Sequence, residues 1–330
     1  MLDYRTHTFL EVYRQRSFTR AAAALLITQP AVSQHIRQLE AYYGCALFTK
    51  TSRGVEPTPA GGMLYHRLLT MENDEERLRA AATALAAGAE ERAADAPLHF
   101  GCTRTIADYL APRLVARHVL EHPRSEVKLV AGNTRGLIEA LEHGDIDFAL
   151  VEGSFDRKRF AFATLSTEPY CAVAAPWRAD GEDPRASNPR ARRAPSSVRD
   201  LLGERLILRE AGSGTREILE KHLAARDLAP SDFAGTVELE SIPSIKACVQ
   251  AGAGITFMYR VAVEDELARG DLVDITPCDF HVEHDFSLIW QRGSQYAPRW
   301  RALCDGWRAA LAPTRKRDGA MDESAHRTVR

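Results

Sequence analysis

Apolar residues recur along this chain in three successive rhythms, and each rhythm predicts a different kind of element. Over residues 3–15 Phe9, Val12 and Tyr13 give a first helix an inward face. Val32, Ile36, Leu39 and Tyr43 then follow at intervals of four, three and four, one stripe of a second helix, while Pro30, Ser33, Gln34 and Arg37 fall on its opposite side. Thr28 is a suitable N-cap and Pro30 sits in the first turn, where a missing N–H costs nothing. The preceding Ala21–Ala24 run is small enough for two helices to cross closely, so Ser17–Phe48 reads as helix, tight turn and helix. Ala46–Lys50 and Val55–Pro57 are short strands around a turn, a wing with Arg53 at its tip.

The second rhythm starts at Thr58-Pro59, an N-cap followed by a proline suited to the first helical position. Leu64, Leu68, Met71, Glu75, Leu78, Ala82 and Leu85 alternate spacings of four and three, a heptad seam with one acidic interruption. A lone helix projecting from a small domain cannot bury such a seam, so pairing with a second copy is expected; packing against the chain's own body is the alternative. Gly88 is expected to end the helix, and 89–96 to form a charged, alanine-rich linker.

From Pro97 strands alternate with helices. Strands are expected at 98–102, 126–131, 147–151, 205–208, 236–240, 255–259 and 285–291, with helices at 106–121, 135–142, 214–226, 243–250 and 299–312. Residues 161–175 read as two antiparallel or crossing strand pieces. The βαβ order implies mainly parallel sheets in two lobes, 97–170 with 277–312 and 171–276, joined by crossings near 170 and 277 around a hinged cleft. Residues 178–196 read as a mobile surface insertion and 313–330 as a disordered tail.

Composition narrows the function. With 330 residues, 45% hydrophobic and 27% charged, the chain fits a soluble protein of two or three domains, and no apolar run is long enough to span a membrane. The first residues lack the pattern of a secretory signal. A net charge of −2 excludes a general nucleic-acid coat, so DNA binding must rest on local charge; residues 1–60 carry seven basic against four acidic side chains. The six cysteines are scattered without a C-x-x-C pair, which argues against zinc or disulfides and for small buried side chains in a reducing cytoplasm. No cofactor is implied.

The polar side of the second helix offers amides, a hydroxyl and a guanidinium, with no acid before Glu40. Gln and Arg can bond base edges in pairs, and Ser can reach a base or a phosphate, so Thr28, Gln29, Pro30, Ser33, Gln34 and Arg37 form a candidate reading face, with Arg53 suited to the minor groove. A solvated amphipathic pair is the plainer reading of the spacing alone. The ordered string Ser17-Phe18, Ala21-Ala22, Leu25, Thr28–Ser33, Ile36, Leu39-Glu40, Leu47-Phe48, Arg53 and Pro57–Gly61 closely resembles the winged helix-turn-helix of LysR-type transcriptional regulators. The later βα order likewise resembles their effector-binding domain, which shares its fold with periplasmic binding proteins. The expected fold class is therefore α/β: a winged helix-turn-helix over 1–60, a dimerisation helix over 58–88, and a two-lobed effector domain over 97–312 resembling the type-2 periplasmic-binding-protein fold.

Ligands in open α/β sheets sit beyond the carboxyl ends of strands, beside helix N-termini. Four such places stand out: Thr103-Arg104-Thr105, Asn133-Thr134, the run Gly212-Ser213-Gly214-Thr215, and Ser241 with Ser244. Arg104, Arg209 and Arg216 could add cationic donors. Together they point to a small anion, although N-capping is the commonest use of Ser, Thr and Asn. GCTRTIADYLAPRL, VAGNTRGLIEALEHGDIDFALVEG and LREAGSGTRE resemble the sulfur-assimilation and Calvin-cycle regulators of the family, which implies a sulfur oxyanion, another oxyanion, or a phosphorylated or carboxylated metabolite. Arg104 departs from that branch, where a small polar residue is expected; it narrows the pocket and raises its positive charge. The resemblance implies a tetramer that reads an interrupted inverted repeat in double-stranded DNA, with RNA polymerase as a candidate partner. The alternatives are a solute-binding module that does not bind DNA and an enzyme built on the same cleft. A G-x-S-x-G elbow, a P-loop, a metal cluster and a Ser/His/Asp set are all missing from the sequence, so no catalytic residue is assigned.

Overall fold

The computed structural model describes residues 2–52, 54–86, 96–176 and 195–311. Arg53, Gly88, the 89–95 linker, most of the 178–196 insertion and the 313–330 tail lie outside the described residues.

The head is built from α1 (Tyr4–Gln15), α2 (Phe18–Ala24), α3 (Gln29–Tyr43), and the antiparallel hairpin of β1 (Phe48–Thr51) and β2 (Gly54–Pro57). Each helix is capped as its sequence demands: Asp3 accepts from the N–H groups of Arg5 and Thr6, Ser17 from that of Arg20, and Thr28 from that of Ala31. Gly44 ends α3 at φ 68°, a left-handed position that glycine takes without strain.

The long helix α4 (Pro59–Ala86) belongs partly to the head. Its Tyr65, Leu68 and Leu69 pack with Phe9, Leu10, Ala21, Val32, Ile36 and Leu47 in one core. Gly61 permits this, because a Cβ there would stand 2.1 Å from the Leu47 carbonyl oxygen. The seam therefore divides: Leu64 and Leu68 are used inside the chain, whereas Met71, Leu78 and Leu85 are exposed at 41%, 57% and 54%. Tyr43, expected on the buried stripe of α3, is instead 45% exposed, since it lies in the last turn beyond the reach of that core.

The rest begins with β3 (Leu98–Thr103), α5 (Arg104–Tyr109), α6 (Ala111–Glu121), β4 (Val127–Gly132), α7 (Thr134–His143), β5 (Phe148–Val151) and β6 (Phe160–Ala174). It continues with β7 (Arg205–Leu208), α8 (Gly214–Ala224), β8 (Gly235–Glu238), α9 (Ile242–Gln250), β9 (Thr256–Tyr259), α10 (Glu264–Arg269), β10 (Val273–Asp274), β11 (Val282–Gln291) and α11 (Ala297–Leu311). One sheet runs β10-β6-β11-β5-β3-β4 with β9 also on β6; β7 and β8 pair in parallel, and Leu206 bridges to Ile255 beside β9. β3, β4 and β5 are parallel, as the βαβ order requires, but β11 is antiparallel to β5 and β6, and β6 to β9 and β10, so the main sheet is mixed where a mainly parallel one was expected.

Two local expectations need correction. The helix expected over 106–121 is two helices, because Pro112 has no N–H for the Asp108 carbonyl and the chain bends at Leu110. The two pieces expected over 161–175 are one strand, β6, which pairs with β11 up to Tyr170 and with β9 from Tyr170 to Val173. Pro169 lies where β6 passes from one set of partners to the next, so its missing N–H is tolerated. α10 and β10, both short, were not anticipated. The large aromatic core of Phe100, Phe148, Trp290, Trp300 and Trp307 lies between the sheet and α11.

α4 is also tied to this second part. Asn73 donates to the Gln291 side chain at 3.0 Å and to the Glu142 carbonyl at 3.3 Å. Asp74 accepts from the Ser294 hydroxyl at 2.7 Å and the Gln295 N–H at 2.8 Å, and Arg77 pairs with Asp147 at 2.5 Å.

Candidate nucleic-acid interface and effector cleft

The rotation of α3 is fixed by its buried face. Val32, Ile36 and Leu39 are held in the head core, and Thr8 of α1 bonds His35 at 2.9 Å. The opposite face is left outward: Thr28, Gln29, Pro30, Gln34 and Arg37 are exposed and Ser33 is half-buried. Gln29 Nε2 donates to Ser33 Oγ at 2.8 Å, so these two form a prepared donor–acceptor pair. Thr28 is spent partly on its cap. Among the described residues Arg37 has no ion-pair partner, which leaves its guanidinium free for a phosphate or a guanine edge. Glu40, the first acid on this helix, is withdrawn from the face by accepting the N–H groups of Leu47 and Phe48. The turn between α2 and α3 holds Leu26 at φ 55° with its side chain 92% exposed.

In the second part, a buried carboxylate organises the site. Glu152, just beyond β5, is 2% exposed, and its Oε1 accepts from Thr105 at 3.1 Å and Thr215 at 3.0 Å, whose hydroxyl oxygens stand 3.3 Å apart. Its Oε2 has no hydrogen-bond partner, and the same holds for the buried Thr103 and Thr134 hydroxyls and for Arg209 Nη1. Arg209 otherwise grips Glu210 with Nε at 2.8 Å and Nη2 at 2.9 Å. Burial drives the Glu152 carboxyl up to about 7; the Thr105 and Thr215 hydroxyls, the Arg209 charge and the nearby Thr103 hydroxyl oppose that rise. The chain comes very close here: a Cβ on Gly214 would lie 3.2 Å from Glu152 Cγ and 3.3 Å from Gly153 Cα. Ser213 is buried at the N-cap of α8 without capping it, and Thr103 occupies the same position on α5. Tyr170 pins the region from β6, its single hydroxyl hydrogen shared between the carbonyls of Thr215 at 2.9 Å and Phe257 at 3.0 Å.

Thr103, Thr105, Thr134, Arg209, Ser213, Gly214 and Thr215 thus belong to the surroundings of one carboxylate or its immediate chain neighbours. The remaining residues do other work. Asn133 caps α7 through the Gly136 N–H at 2.9 Å, and Ser241 caps α9 through the Ser244 N–H at 3.3 Å. Gly212 turns the chain at φ 88°. Arg104 is half exposed and reaches Glu240 at 3.9 Å, and Arg216 pairs with Glu220 at 2.6 Å and Glu238 at 2.5 Å. Glu152 and Tyr170 were missed by sequence reasoning. Glu152 could have been found, because it stands at the carboxyl end of a strand, the same kind of place that singled out the threonines. Among the described residues no group of His, Cys, Asp and Glu could hold a metal ion.

Comparison with known proteins accounts for both parts. Residues 5–62 match the bacterial regulatory helix-turn-helix protein model of the lysR family, and residues 92–312 match the LysR substrate binding domain. The chain is 28% identical to the HTH-type transcriptional regulator CysL of Bacillus subtilis (strain 168), over 86% of this chain and 88% of that one. It is 30% identical to the regulator CbbR of Rhodospirillum rubrum, over 92% and 94%. Both relatives fall in the branches that the sequence resembles, and both are named as regulators of transcription, not enzymes. The full-length regulator LysG of Corynebacterium glutamicum, solved with bound effector Arg, has the same fold at TM-score 0.61 and 17% identity, covering 94% of this chain and 98% of that chain. No described helix is long and apolar enough to cross a membrane. The chain belongs to the LysR family of DNA-binding transcriptional regulators that respond to small-molecule effectors.

Proposed function

We propose that Gln29, Ser33, Gln34 and Arg37 read DNA in the major groove, with Thr28 and Pro30 setting the helix entry and Arg53 reaching the minor groove. The carrying observation is the outward Arg37, without an ion-pair partner among the described residues, on a helix whose first acid, Glu40, is engaged elsewhere. Two heads joined through the exposed Met71, Leu78 and Leu85 of paired α4 helices would read an interrupted inverted repeat. Further association gives a tetramer, working in the cytoplasm and touching RNA polymerase at the promoter. A gel-shift titration against the chain's own upstream region tests this: Arg37→Ala should weaken binding at least about tenfold, and should lower the slope of log affinity against log salt by about one. Unchanged binding and slope would remove Arg37 from the interface.

We further propose that the effector is a small anion held near Glu152 by Thr103, Thr134, Ser213, Thr215 and Arg209, with Thr105 supporting the carboxylate. On this reading the domains divide at 1–60, 58–88 and 97–312, with lobes parting near 170 and 277, and the site would lie between the lobes. The supporting observation is that unpartnered polar atoms of Thr103, Thr134, Glu152 and Arg209 are buried in one region, which is costly unless something binds there. Asn133, Ser241, Ser244, Gly212 and Arg104 then shape the rim through caps, a turn and the Glu240 contact. Thermal-shift titration of the full chain with phosphate, sulfite, sulfate and small carboxylates tests the reading. A rise in melting temperature that Thr103→Ala and Ser213→Ala both leave intact would place the pocket elsewhere.

A further inference from the structure

The donor set around Glu152 is unusual for an anion site, because a negative group is built into it. Oε1 is held by two threonine hydroxyls, so the carboxylate cannot swing away without breaking both bonds. Oε2 has no donor. The free hydrogen-bonding capacity beside it is that of Thr103, Thr134 and Arg209 Nη1. A fully deprotonated oxyanion accepting from these groups would set an oxygen against Oε2 with no hydrogen between two acceptors, a repulsive contact in a dry site. One proton between the two oxygens turns it into a charge-assisted hydrogen bond.

We propose that an anion binds beside Glu152 together with one shared proton, so that the site prefers oxyanions that carry a proton near neutrality, such as hydrogenphosphate or hydrogensulfite, to sulfate. This rests on the cleft reading given above. Groups from several elements face Glu152. Just beyond β7, Arg209 is already paired with Glu210. From β6 and β9, the hydroxyls of Tyr170 and Tyr259 are pushed far up by burial and stay protonated. α8 presents the neutral Thr215 and, one turn's reach away, Glu217, whose carboxylate accepts from Ser154. Thr134 of α7 and Thr103 and Thr105 of the β3–α5 junction are neutral. The burial that raises the Glu152 carboxyl agrees with this geometry. Where the ligand brings no proton, Glu152 must supply one, and binding weakens as solution pH rises past its titration.

Isothermal titration of the full chain with sodium sulfate and sodium phosphate from about pH 6 to about pH 8.5, in buffers of differing ionisation enthalpy, reads this directly. Above about pH 7 sulfate affinity should fall about tenfold per pH unit with one proton taken up per anion, whereas phosphate, which always keeps a proton there, should vary less than about threefold. In Glu152→Gln, whose amide donates without titrating, sulfate binding should lose its pH slope. Flat sulfate affinity with no proton uptake in the unsubstituted protein, or an unchanged slope in Glu152→Gln, overturns the proposal while leaving the anion site standing. Failure of both anions to bind at any pH removes the anion reading and this inference with it. The proton count of the unsubstituted protein decides the matter even if the variant does not fold.

Discussion

Replacing Glu152 by glutamine should stabilise the protein in mildly alkaline solution, against the usual outcome of changing a buried residue. The native carboxyl is raised from its ordinary 4.5 to about 7, chiefly by burial. The folded chain therefore holds this proton more tightly than the unfolded chain does. Between those two values the native state binds more protons, so stability falls as pH rises across the window and levels off above about 7. The displacement corresponds to about 3 kcal/mol at most. The neutral amide of Glu152→Gln is spared that cost, and its carbonyl can still accept from Thr105 and Thr215 in place of Oε1. Urea unfolding of both proteins, followed on the tryptophans of the second part, should show near-equal stability at about pH 5 and a variant advantage of about 2–3 kcal/mol at about pH 8. An advantage of the same size at both pH values, or a loss at pH 8, would mean that Glu152 is not a buried ionised group in the native state.

Three further outcomes follow from particular contacts. Asp74→Ala strips the acceptor from the Ser294 hydroxyl and the Gln295 N–H, both inside the α4 contact; each orphan costs roughly 1–3 kcal/mol, and amide exchange at Gln295 should accelerate accordingly. Leu26→Asn should raise head stability by roughly 0.5–1 kcal/mol in thermal unfolding, because Asn tolerates φ 55° better and the exposed leucine loses no packing. Met71→Asp with Leu78→Asp should shift the chain to monomer in light scattering, leaving its far-ultraviolet circular dichroism intact, since both side chains are exposed within one chain.

What the sequence revealed depended on how local the determinant is. The head was legible because its stripe, caps and turn all lie within neighbouring residues: Thr28, Pro30, Val32, Ile36 and Leu39 each state their role by spacing. The break at Leu110 was equally local, and Pro112 announced it, yet the apolar rhythm on both sides ran through and masked it. β6 was misjudged for the opposite reason. Pro169 argues for a break on local grounds, and only the exchange of partners from β11 to β9, set by distant strands, keeps the strand whole. Around Glu152, the strand-end rule singles out the threonines but does not separate Thr103 and Ser213, which do not cap, from Asn133 and Ser241, which do. That distinction depends on side-chain direction, and so does the meeting of Thr105 and Thr215 on a carboxylate from a third strand.

The long helix serves two clients along one rigid rod. Leu68 and Leu69 hold it in the head core, while Arg67, donating to the Gly293 carbonyl at 2.9 Å, and Asn73 anchor it on the effector-binding part. The two sets of anchors overlap within an interval of about two helical turns, which leaves no slack to absorb a misfit. Adding or removing a single residue in that interval would swing one client about 100° around the other, so the stretch should tolerate exchange of its side chains far better than any change in its length.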